Sequence, residues 1–70
     1  MNKKYLPTTC EGKMLHVIEE CSEVQHAITK AMRFGLDKYH PRDVHLDNRN
    51  KILSELDDLE SAISKLRDAL

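Results

Sequence analysis

The chain holds no tryptophan, one phenylalanine, two tyrosines, two glycines and two prolines. So few aromatics in a composition that is one-third charged suit exposed helices better than a β-sandwich. Cysteine is equally scarce. Cys10 and Cys21 lie eleven residues apart in what reads as a single helix, about 16 Å along its axis, a span no intrachain disulfide can close. There is no apolar run near the roughly 20 residues a membrane helix needs and no charged-then-apolar leader. The expected home is therefore a reducing cytoplasm, with no membrane partner. The formal net charge is −1, from 11 basic and 12 acidic residues. That balance lacks the broad positive field of a protein whose main partner is nucleic acid. Seventy residues make one domain at most, and bury too little apolar surface to offset their ordering entropy comfortably alone. Self-association is the expectation.

What is present is helical periodicity. Residues 1–7 show none and read as an N-terminal arm, and Thr8-Thr9-Cys10-Glu11 has the S/T-x-x-E form of a capping box. Met14, Val17, Cys21, Val24, Ile28 and Ala31 then recur at spacings of three and four, the seam of an amphipathic helix over 8–34. Gly35 is a natural stop. Pro41 and mixed polarity make 35–47 a loop, with room for one short helical turn. Asp47 or Asn48 can cap a second helix over 48–70, whose seam is Ile52, Leu56, Leu59, Ile63, Leu66 and Leu70. The fold class is all-α: an antiparallel helix hairpin that assembles by oligomerisation into a four-helix bundle. The run Glu20 to Lys30 also matches Glu55 to Lys65 at an offset of 35 residues. Acidic heptads converge easily, so the match serves here for its geometry alone.

Four carboxylates stand out. Positions three apart differ by about 60° in heading, so Glu20 and Glu23 project from one face of the first helix, and Glu55 and Asp58 from one face of the second. In an antiparallel hairpin these pairs flank the core and can converge at its margin. Such a cluster repels itself unless a hard divalent cation sits within it, and Mg²⁺ favours carboxylate oxygens, water and phosphate. The plain alternative is that these acids are the solvated faces of two helices. A di-iron reading of Glu23-Val-Gln-His26 is weak, because the second helix has no histidine partner.

The same residues carry a resemblance. Glu19-Glu20-Cys-Ser-Glu23 followed by Glu55-Leu-Asp-Asp58 resembles the E-E-x-x-E and E-x-x-D motifs of the MazG-like all-α nucleoside triphosphate pyrophosphohydrolases. Flanking runs from Lys30 to Asp37 and from Asn48 to Leu59 look similar as well, so the likeness covers roughly Met14 to Leu70. It implies Mg²⁺-dependent hydrolysis of an NTP or dNTP to the monophosphate and pyrophosphate, with Mn²⁺ as a substitute ion and a homodimer or homotetramer as the working form. By motif position Glu20, Glu23, Glu55 and Asp58 would be metal ligands, and Glu19 would orient or deprotonate the attacking water. The gap between the motifs is slightly long, and further helices usual in that family are missing. A nucleotide-binding or sequestering oligomer without turnover is therefore the alternative. Lys30 and Lys51 have headings suited to substrate phosphates, and Arg33 and Arg49 the right fork geometry. Phe34 could wall a base. For each of these, ordinary surface or packing roles compete. Tyr39 and His40 read as loop anchors that could close over a nucleotide, His16 as a polar histidine near the acids, and Cys21 as a buried apolar side chain.

Overall fold

The computed structural model describes residues 7–40 and 43–70, with side chains described outside 40–45. Of the expected arm at 1–7, all but Pro7 lies outside that range. Two long helices dominate: α1 spans Cys10–Phe34 and α2 spans Asn48–Ala69, packed against each other as a hairpin. Among the described residues no helix is long and apolar enough to cross a membrane.

Each helix start is fixed by a side chain. Thr9, not Thr8, caps α1: the Gly12 N–H donates to its hydroxyl at 3.0 Å. Gly12 at that position keeps the cap close, since a Cβ there would stand 3.0 Å from the hydroxyl oxygen. The expected capping box is thus shifted by one residue, and no carboxylate occupies its third position. Asp47 caps α2, accepting from the Asn50 N–H at 2.8 Å. Gly35 ends α1 at φ 103°, a backbone conformation that suits glycine, with its N–H donating to the Ala31 carbonyl.

The connection differs from the expected loop. Two short strands, β1 (Tyr39–His40) and β2 (Asp43–Asp47), form an antiparallel ribbon in which Tyr39 faces Asp47 and His40 faces Asp43, with an irregularity between. Period-two alternation is too brief in so short a stretch to be read from sequence. The ribbon base is knitted to both helix ends. The Asn48 side-chain amide donates to the Gly35 carbonyl at 2.8 Å, and the Asn48 and Arg49 N–H groups donate to the Lys38 and Leu36 carbonyls. Donors at the start of α2 are thereby satisfied by carbonyls just past the end of α1, which ties the two helix ends together.

The buried apolar core is narrow: Val24, Ala27, Ala31 and Ala62. The small alanines let the helices approach. Contrary to the sequence reading, Cys21 is exposed, as are Met14 and Ile28 of the same seam, while Ile63 and Leu70 of α2 are exposed too. The hairpin meets along a line rotated away from the seam, and polar residues fill part of that line.

Candidate metal centre

Those polar residues are His16, Glu20 and Glu55, all buried; Glu20 is 3% exposed and Glu55 7%. The two glutamates were expected at the margin of the interface, and instead lie within it. Their carboxylates meet that of the exposed Asp58, with one oxygen from each of the three lying within 4.8 Å of the others. α1 contributes Glu20, and α2 contributes Glu55 and Asp58 from consecutive turns of one face.

A base stands one turn before each buried glutamate. His16 Nε2 lies 3.3 Å from Glu20 Oε1, and Lys51 Nζ lies 3.0 Å from Glu55 Oε1. The offset of 35 residues that relates Glu20 to Glu55 also relates His16 to Lys51 and Ala27 to Ala62. Glu20 and Glu55, and Ala27 and Ala62, are buried alike, whereas His16 is buried and Lys51 exposed, and Asp58 joins the cluster while its counterpart Glu23 does not. His16, read from sequence as a polar histidine near the acids, is a buried partner of one of them.

The charge arrangement bears on what the cluster can hold. Two unit charges 4.8 Å apart repel by about 3 kcal/mol at an effective dielectric near 20. Lys51, and His16 when protonated, offset that repulsion along the helices, while Asp58 is eased by solvent. The donor set is all oxygen and anionic, which suits a hard divalent ion. Glu20, Glu55 and Asp58 would supply three oxygens to such an ion and leave its other positions to water or phosphate.

No protein-family model, curated protein or solved structure matches this chain. The site must therefore be read from its own chemistry.

The remaining sequence candidates divide. Glu19 and Glu23 are exposed, and Glu23 stands outside the three-carboxylate group although it shares the spacing of Asp58. Lys51 sits within the site. Lys30, Arg33 and Phe34 follow Glu20 by 10, 13 and 14 residues, about 15 to 21 Å along the axis, toward the ribbon. There the Arg33 guanidinium lies over the Phe34 ring at 5.3 Å from its centroid. Arg49 pairs with Asp37 at 3.1 Å, the surface role weighed for it. Tyr39 is exposed, and the His40 side chain lies outside the described residues.

Proposed function

We propose that this chain is a Mg²⁺-dependent nucleoside triphosphate pyrophosphohydrolase related to the MazG-like enzymes, working as a homodimer or homotetramer. The reading rests on one observation: carboxylate oxygens from two helices, two of them on buried glutamates, gather within 4.8 Å. Glu20, Glu55 and Asp58 would hold the ion, and Mn²⁺ would substitute for it. When bound, the ion would supply charge neutralisation at the phosphates and a more acidic water. His16 and Lys51 keep the two buried carboxylates oriented one turn below the site. Glu19, exposed and next to Glu20 in sequence, would accept a proton from the attacking water. Lys51, paired with Glu55, would be near enough to meet a substrate phosphate at the site.

Incubation with each common NTP and dNTP plus Mg²⁺, with pyrophosphate measured, tests the reading. Release that disappears in Glu20→Gln and Asp58→Asn supports it. Absence of release with every substrate removes it.

One observation favours a second reading, a binder that sequesters nucleotide without turnover. Glu23 stays apart from the cluster, and Lys30, Arg33 and Phe34 lie toward the ribbon end. Tight nucleotide binding with no pyrophosphate would select it.

A further inference from the structure

One face of the hairpin carries a second set of groups in line with the carboxylate cluster. At about 100° per residue, Lys30 and Phe34 stand about 80° and 40° round α1 from Glu20, and Asp58 and Lys51 about 60° and 40° round α2 from Glu55, all in one rotational sense. On antiparallel helices the same sense means the same broad face. Toward the ribbon the cluster gives way first to Lys51, 3.0 Å from Glu55. Lys30 follows about 15 Å from Glu20 along the axis, and Phe34 at about 21 Å. Lys30 is half-buried and pairs with no acid among the described residues. Phe34 is 59% exposed, and the Arg33 guanidinium covers its ring at 5.3 Å from the centroid. A lysine held partly out of water without a counter-charge is a place for an anion. An exposed ring backed by a guanidinium is a platform on which a nucleobase stacks. The charge along the chain agrees: residues 30–51 hold six basic residues against three acidic, and the rest of the chain five basic against nine acidic. A polyanion is thus drawn toward the ribbon end and repelled by the acids, except where a cation sits among them.

We propose that this face takes a dinucleoside polyphosphate. The phosphates next to the first nucleoside lie at the cation held by Glu20, Glu55 and Asp58, the following phosphates pass Lys51 and Lys30, and the second base stacks on Phe34 and Arg33. The proposal rests on the hydrolase reading for the cation at the cluster, and goes beyond it in the class of substrate. Length argues against a mononucleotide. One ribose separates a base from its own α-phosphate, and that does not span the distance from the cluster to Phe34. The order of groups argues against the end of a polynucleotide. Between Glu20 and Phe34 the chain has no phenylalanine, tyrosine or tryptophan, and the shared face offers lysines. Such a track suits consecutive phosphates, whereas a polynucleotide would bring intervening bases that need walls of their own.

Isothermal titration calorimetry of the full chain in Mg²⁺ tests this, with the α,β-methylene forms of diadenosine tetraphosphate, adenosine tetraphosphate and ATP as probes that turnover does not consume. Diadenosine tetraphosphate should bind at least about fivefold more tightly than adenosine tetraphosphate, which has the same phosphates without the second base. Phe34→Ala should bring that ratio below about twofold, and Phe34→Tyr should keep it. Helix content by circular dichroism should be the same in both variants, because the ring lies on the surface. Lys30→Gln should weaken both tetraphosphates at least about threefold, and Lys30→Arg should restore them. Equal affinity for the two tetraphosphates overturns the proposal, and so does a ratio that Phe34→Ala leaves unmoved. A 5′-triphosphorylated trinucleotide bound more tightly than diadenosine tetraphosphate overturns it as well, assigning the track to a polynucleotide end. The hydrolase reading fails separately: no pyrophosphate from any NTP, with the affinity ratio intact, removes turnover and leaves the second-base site standing.

Discussion

Glu20 and Glu55 are the residues at which stability and function pull in different directions. Each is buried beside a base on its own helix, yet the two acids also face each other. Glu20→Gln removes the pairing with His16 and relieves the repulsion together. Without divalent ions its stability should therefore stay within about 1 kcal/mol of wild type by denaturant titration. With Mg²⁺ or Mn²⁺ the wild type should gain, about 2.7 kcal/mol when the ion is at 100 times its dissociation constant, and Glu20→Gln and Asp58→Asn should lose that gain. An equal gain in both variants would take the ion away from this cluster. The helix starts offer a sharper contrast. Thr9→Ala should cost about 1 kcal/mol, because it orphans the Gly12 N–H, while Thr8→Ala should change stability by under about 0.5 kcal/mol. Equal effects would return the cap to Thr8. From sequence both threonines were available; the choice depended on where the chain could turn into the helix, which no spacing rule fixes to one residue.

At the scale of elements, the ribbon and the alanines decide how α1 meets α2. Asn48 joins the two helix ends through its bond to the Gly35 carbonyl, so Asn48→Ala should cost about 1 kcal/mol by thermal unfolding. Gly35→Ala should cost at least as much, because φ 103° strains an L side chain. Ala62 is fully buried at 0% exposure, in the core of the hairpin. Ala62→Leu should destabilise by about 1 to 3 kcal/mol through overpacking, and a neutral result would mean that the helices are not held at this line. The helices themselves were legible in sequence, since periodicity over some twenty residues sets each of them, Gly35 marks the end of the first and Asp47 the start of the second. The ribbon was not, because its strands are only two and five residues long, too short for a periodicity to show.

As a whole the molecule is a two-helix hairpin with a narrow buried core and many large apolar side chains left exposed. Its thermal midpoint should therefore rise with protein concentration, as it does for any chain whose folded form is completed by association. A midpoint constant over a hundredfold range would mean that the hairpin stands alone. The sequence by itself determined the two helices, their antiparallel order and the acidic residues worth watching, because local spacing and caps act within a few turns. Only the tertiary structure decided which side of each seam was spent on the hairpin. A stripe broad enough for two neighbours does not say which neighbour is the other half of its own chain. The hairpin took the side bearing His16, Glu20, Ala27 and Ala31, buried two glutamates the pattern had set at the rim, left Cys21 exposed, and brought Asp58 but not Glu23 to them.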